Sequence, residues 1–278
     1  MMHLFQKVSE RCSCDTTKQY STSFFSAIQL LHKDLRQPVC NIYGFVRFAD
    51  EIVDTFHDFD KATLLAQFKE ETYEAIKRGL SLNPILNSFQ KTVNQYSIDH
   101  ALIDAFFKSM EMDLHFTTYN SNEYEEYIYG SAETVGLMCL YVFCDGNVEN
   151  YEKLKAPARS LGAAFQKVNF LRDVKADYDG LQRIYFPGCD FKNFTDQEKT
   201  KIEADIQQDF NQAYDGILRL PVKARFGVYV AYKYYLSLFK KIRKVQPARI
   251  LEQRIRIPNY SKALIILRAG VKNRLKLI

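Results

Sequence analysis

The chain has 278 residues, 47% of them hydrophobic, with a net charge of +5 and only 11 glycines and 7 prolines. That is enough apolar material for one large helical core and too few turn formers for a strand-rich fold. The charge is mild and mixed in sign, with no dominant basic block, so it gives no support to nucleic-acid binding. Six cysteines (Cys12, Cys14, Cys40, Cys139, Cys144, Cys189) match neither a small disulfide scaffold nor a zinc pattern, which fits reduced thiols in a cytoplasmic protein. No signal peptide is evident, and no stretch is read as reaching the ~18–20 apolar residues needed to span a bilayer.

Residues 1–278 read as a single all-α domain, with 1–20 a short helix or N-terminal arm. A helix is expected from Ser21 or Thr22 to His32, carrying Phe24, Phe25, Ile28 and Leu31 on one side. Pro38 suits the first turn of the next helix, where its missing amide costs nothing. Asp60 is an N-cap for a helix to about Gly79, Asn83-Pro84 opens another, and Asp99–Phe116 a third. Tyr124–Cys144 is apolar and aromatic but broken by small residues, which would admit either a substrate tail or a close helix neighbour. A long helix spans Asn150–Asp177, the stretch 179–183 reads as a loop, and helices follow over Gln197–Arg219, Pro221–Lys244 and Asn259–Lys276.

The long helix carries the most informative pattern. Gln166, Asn169, Asp173 and Asp177 recur at steps of three, four and four, which stacks them in one stripe amid apolar neighbours. Buried oxygen-bearing side chains are costly unless bonded or metal-bound, and hard oxygen donors suit Mg²⁺. The same device occurs earlier: Asp50 and Asp54 lie four apart in an apolar segment, with Arg47 one turn before. Two such helices face to face would form an acid-walled pocket for a polyanion, and a diphosphate bridged by Mg²⁺ is the natural guest.

Here the sequence resembles the squalene and phytoene synthases. The resemblance rests on Ser21-Thr22-Ser23-Phe24-Phe25; Tyr43-x-x-x-Arg47-x-x-Asp50-x-x-x-Asp54; Tyr127-x-Tyr129-Gly130 with Ala132-x-x-Val135-Gly136; Gln166-x-x-Asn169-x-x-Arg172-Asp173-x-x-x-Asp177; and Arg183-Ile184-Tyr185-Phe186-Pro187. It implies an isoprenoid synthase (class I terpenoid synthase) helical bundle with a central cavity. It also implies head-to-head condensation of two prenyl diphosphates with release of pyrophosphate. The expected metal ligands are Asp50, Asp54, Asn169, Asp173 and Asp177, holding several Mg²⁺ ions, with Mn²⁺ a possible substitute. Arg47, Arg172 and Arg183 are expected on the diphosphate, with Tyr43, Gln166 and Tyr185 as donors and Ser21 and Ser23 from the first helix. The resemblance adds Arg254 and Arg256 as further diphosphate contacts. Phe24, Tyr43 and Tyr127 offer faces to a carbocation.

Two geranylgeranyl diphosphates giving phytoene, in carotenoid biosynthesis, is the first expectation. A C15 enzyme making squalene or dehydrosqualene is the alternative, and the squalene reaction would require NADPH. A class I cyclase or chain-elongating enzyme, and a catalytically inactive relative acting as a scaffold, are more distant alternatives. Two positions depart from the family pattern: Asp50-Glu51 where Asp-Asp is common, and Glu133 where glycine is usual. The second leaves the tail cavity's shape open. The basic C-terminal segment could contact anionic lipid at the inner face of the membrane or simply pack on the core. The membrane anchor of eukaryotic squalene synthases is not seen.

Overall fold

The computed structural model describes residues 1–181, 183–189, 194–252, 254–275 and 278, and their side chains except at 176–179 and 181. Among these residues every regular element is helical. The one β-type contact is an isolated parallel bridge between Thr118 and Ile184.

The first element is the helix rather than the arm of the two readings, and it fills almost all of residues 1–20. α1 (Met2–Tyr20) is 19 residues long and docks along α3 (Lys33–Asp54) and α5 (Pro84–Tyr96). Its buried stripe is Ser9, Ser13 and Thr17, polar rather than apolar, so hydrophobic periodicity did not mark it. Thr17 Oγ1 donates to the Ser13 carbonyl of the same helix at 2.8 Å, and the two serines find partners across the seam. Ser13 and Ser88 Oγ atoms are 2.6 Å apart, and Asn87 Nδ2 donates to Ser9 Oγ at 3.0 Å. Gly44 allows the close approach, since a Cβ there would lie 2.9 Å from Ser13 Oγ.

α2 is short (Thr22–Ile28), and α3 starts at Lys33, so Pro38 lies inside a helix rather than in its first turn. The caps of α4 (Lys61–Arg78), α5 and α6 (His100–His115) follow the sequence. Asp60 accepts from Thr63 N, Asn83 from Ile85 N and Leu86 N, and Asp99 from Ala101 N. Gly79 closes α4 at φ 71°, the left-handed conformation glycine adopts at least cost. Phe45 of α3 is fully buried and stacks on Phe89 of α5 at 3.9 Å; truncating it to Ala would cost about 3–5 kcal/mol.

α7 (Ser121–Ile128) runs through a π-helical turn (Tyr129–Glu133) into α8 (Thr134–Cys144). By length and composition this 24-residue run could cross a bilayer, which corrects the sequence expectation that none would. It lies instead within the fold, packed on α3, α6 and α9 (Val148–Leu181). α9 extends past Asp177 to Leu181, through most of the segment read as a loop. α10 (Asp196–Arg219) begins with a Thr195–Glu198 capping box, and α11 (Val222–Arg243), α12 (Pro247–Ile250) and α13 (Asn259–Arg274) complete the chain.

Candidate active site

Helices α2, α3, α8, α9, α10 and α11 enclose one elongated cavity of about 510 Å³. Close packing fixes its long axis. A Cβ on Gly162 would lie 2.6 Å from Ala132 O, one on Gly216 2.3 Å from Pro157 Cβ, and one on Gly227 2.5 Å from Leu31 Cδ2. Along α9 the lining runs from Leu154 to Asp173, 19 steps of about 1.5 Å or roughly 28 Å. Leu31, Val39, Leu140, Leu154 and Leu220 line the cavity at residues remote from the acidic ends of α3 and α9. At the other end stand Tyr20, Ser21, Arg47, Asp50, Gln166, Asn169, Arg172, Asp173 and Arg254. A greasy barrel thus closes at one end in charge.

The charged end is dense and incompletely satisfied. Burial, then repulsion from Asp54, pushes the Asp50 carboxyl up to about 7, against a lesser opposing pull from Arg47. Arg47 pairs with Glu51, approaches Asp50 at 3.9 Å and lies over the Tyr20 ring at 4.4 Å, yet its Nε has no partner. Glu51, at the position where the family often has a second Asp, therefore serves as a partner for Arg47. Opposite, Asp173 gathers two arginines: Arg172 Nε donates to both carboxylate oxygens at 3.0 Å, and Arg254 Nε lies 2.7 Å from Oδ1. The Asn169 Oδ1 atom is buried without a partner.

These donors fit a hard divalent cation. Asp50 is buried with Asp54 and Asp113 acting on it against Arg47 and Arg183, and Asn169 offers an orphaned oxygen. Among the described residues no three acidic, histidine or cysteine side chains cluster as a ready cage. Mg²⁺ commonly takes one or two carboxylates and completes its shell with phosphate oxygens and water. Asp50, Asp54, Asn169 and Asp173 could supply the protein's share. The Asp177 side chain lies outside the described residues.

Tyr43 stacks on Phe24 at 5.4 Å, and both line the cavity. Burial raises Tyr43 to about 12, so its hydroxyl keeps its proton at neutral pH and can donate. Tyr127 lines the wall with its ring while its hydroxyl donates to Asp113 at 2.7 Å. Arg183, Tyr185 and Asp54, by contrast, are not among the lining residues. Arg183 is buried and donates to Asp54 at 2.7 Å and to the Asp113 carbonyl at 2.9 Å. Tyr185 stacks on Phe170 at 3.9 Å, with its hydroxyl 3.5 Å from Asp113. The bridge from Ile184 N to Thr117 O at 2.8 Å sets this segment in place. In this geometry Arg183 and Tyr185 back the first acidic helix from behind.

Asp113 is the residue sequence reading missed. It sits near the end of α6, accepts from Tyr119 at 3.0 Å and Tyr127 at 2.7 Å, and lies 3.5 Å from Arg183 Nη1. Burial pushes its carboxyl up to about 6 despite the opposing guanidinium. The only signal in the sequence was an acid on the otherwise apolar face of Leu102, Phe106 and Met110.

The π-helical turn brings Ser131 and Ala132 to the wall, beside Gly162 of α9. Glu133 is not among the lining residues. Its carboxylate pairs with Arg159 Nε at 2.5 Å, so the departure from glycine leaves the cavity's bore untouched.

An all-α bundle around a long apolar cavity, closed by facing acidic helices and arginines, is the architecture of an isoprenoid synthase. Comparison with known proteins agrees. Residues 17–261 match the family model described as squalene/phytoene synthase, and the chain belongs to that family. It is a prenyltransferase of the head-to-head type. It is 26% identical over 93% of its length to the phytoene synthase of Arthrospira platensis, covering 91% of that protein. It is 27% identical to the 4,4'-diapophytoene synthase of Staphylococcus haemolyticus, over 69% of this chain and 67% of that one. Among solved structures, a dehydrosqualene synthase in complex with ligand aligns with a TM-score of 0.82 over 98% of both chains at 20% identity. The squalene synthase HpnC of Alicyclobacillus acidocaldarius aligns at 0.74 and 19% identity, over 86% of this chain and 94% of that one.

Proposed function

We propose that the protein condenses two geranylgeranyl diphosphates head to head to give phytoene, through a cyclopropylcarbinyl diphosphate, with release of two pyrophosphates. The observation that carries this reading is the division of one cavity into a charged end and a long apolar barrel. The roughly 28 Å from Leu154 to Asp173 takes in both ends of the cavity, and a C20 tail with a zigzag length of roughly 20 Å fits within it together with its diphosphate.

Arg47, Arg172 and Arg254 hold the diphosphate at the charged end, with Tyr43, Gln166 and Ser21 as neutral partners. Arg172 and Arg254 are drawn by Asp173 to the same spot, so the positive charge they carry is in place before substrate arrives. Asp50, Asp54, Asn169, Asp173 and Asp177 would hold Mg²⁺, which supplies Lewis acidity toward the leaving diphosphate. The first donor loses its diphosphate, and its allylic C1 alkylates the second molecule's double bond. Proton loss then closes the cyclopropane. The second ionisation, rearrangement and proton loss give the triene. Phe24, Tyr43 and Tyr127 present ring faces to the cations, and the apolar barrel excludes water that would trap them.

The C15 reaction stays as the second reading because the 27%-identical relative is a 4,4'-diapophytoene synthase. A competition assay separates them: equimolar farnesyl and geranylgeranyl diphosphate with Mg²⁺, with and without NADPH. A C40 triene without NADPH supports the proposal. A C30 product moves the assignment to C15, and reduction to squalene only with NADPH names the squalene branch.

A further inference from the structure

The last helix has two apolar faces, and only one of them is used. Ile265, Ile266 and Ala269 pack α13 against the core, where it lies on α11. On the opposite side Tyr260, Leu264, Leu267, Val271 and Leu275 follow one another at steps of four, three, four and four. At 100° per residue they form a single stripe about 80° wide. All five are exposed, Leu267 at 65% and Leu275 at 64%. Scattered exposed leucines need no explanation, but a continuous stripe does.

Charge decides what covers it. Arg274 borders one edge of the stripe, and Arg268 and Lys272 border the other, all exposed. Asn259–Leu275 contains no acidic residue. Burial, then repulsion from Lys272 and from Lys240, lowers Lys233 on the neighbouring α11. A second copy of this face would set cation against cation. An apolar face with cationic rims and no acids is instead the pattern of a helix lying in the plane of an anionic bilayer.

We propose that α13 is an interfacial helix, seating the stripe of Leu264, Leu267 and Val271 among acyl chains with Arg268, Lys272 and Arg274 on anionic headgroups. The surface goes beyond the reaction and does not depend on the chain length of the substrate. It gives the enzyme a resting place on the phase from which apolar product would be collected. α13 follows directly on the Arg254–Pro258 segment, whose Arg254 stands at the charged end of the cavity.

The test uses the full chain and sucrose-loaded vesicles of phosphatidylcholine alone or with 30% phosphatidylglycerol, at about 0.1 M salt where surface charge is still felt. Wild type should sediment with the anionic vesicles and not the neutral ones. Arg268→Gln/Lys272→Gln/Arg274→Gln should weaken that partition on the order of a hundredfold. Leu264→Ser/Leu267→Ser/Val271→Ser should weaken it at least about tenfold. Both variants should keep wild-type helical circular dichroism and turnover of detergent-dispersed substrate, so loss of binding is separate from loss of the reaction. No binding by wild type overturns the proposal, as does equal binding by either variant. Stripe-dependent dimerisation by light scattering without vesicles also overturns it and assigns the face to a second copy.

Discussion

Asp113 offers a test of how the back of the site is held together. Its carboxyl is buried and faces Arg183, Tyr119 and Tyr127, and two forces act on it in opposite senses. Burial disfavours the charge, Arg183 favours it, and burial prevails, raising the group from 3.8 to about 6. The folded chain therefore binds more protons than the unfolded chain between those values. The stability tied to Asp113 is fully present below about 4 and is lost as pH rises through about 6. Two units at about 1.4 kcal/mol each set the loss near 3 kcal/mol. Asp113→Asn cannot titrate, so the stability advantage of wild type over the variant should shrink by about 3 kcal/mol between pH 4 and pH 7. Reversible urea unfolding followed by circular dichroism at several pH values reads this directly. Asp50 titrates in the same window and is itself raised by Asp113, so the comparison is made in an Asp50→Asn background, where that coupling is absent. A gap that stays constant, or widens with pH, would mean that the Arg183 pair outweighs burial, and the reasoning would fail.

Other expectations follow from the same geometry. Asp50→Ala and Asp173→Ala should each lower turnover by at least about 10²–10³-fold with the helical signal intact, since each removes an oxygen donor at the charged end; near wild-type rates in either would remove the metal-site assignment. Glu133→Gly, which restores the common family residue, should leave product length unchanged by mass spectrometry. It should cost about 1–2 kcal/mol through the lost Arg159 pair and added backbone freedom. Gly216→Ala should lower the thermal midpoint by several degrees, because the new Cβ would meet Pro157 of α9 at 2.3 Å and overpacking costs about 1–3 kcal/mol.

Much of the site could be read from the chain because its parts are local. Asp50 with Asp54, and Asn169 with Asp173, are each set by helical spacing within one helix, and both helices reach the one site. The caps at Asp60, Asn83 and Asp99 are local as well, and each forms as the sequence indicates. What escaped the sequence depends on distant pairs. α1 docks through serines that meet Ser88 and Asn87, so no apolar period announces it. Asp113 gains its place only when Tyr119, Tyr127 and Arg183 converge on it from three segments. Arg183 looks in sequence like a diphosphate clamp, and its burial against Asp54 becomes visible only once the Thr117–Ile184 contact is formed. The bore at Glu133 was open to question until Arg159 supplied its partner.

The most direct test of the account is the stoichiometry of pyrophosphate to hydrocarbon when the protein turns over geranylgeranyl diphosphate with Mg²⁺. Head-to-head condensation ionises two diphosphates per product, so the account predicts two pyrophosphates for each C40 triene. One pyrophosphate per C40 product that still carries a diphosphate would mean arrest at the cyclopropylcarbinyl diphosphate and would contradict the completed two-step condensation. No hydrocarbon and no pyrophosphate from either the C20 or the C15 substrate would contradict the assignment of a catalytic cavity altogether.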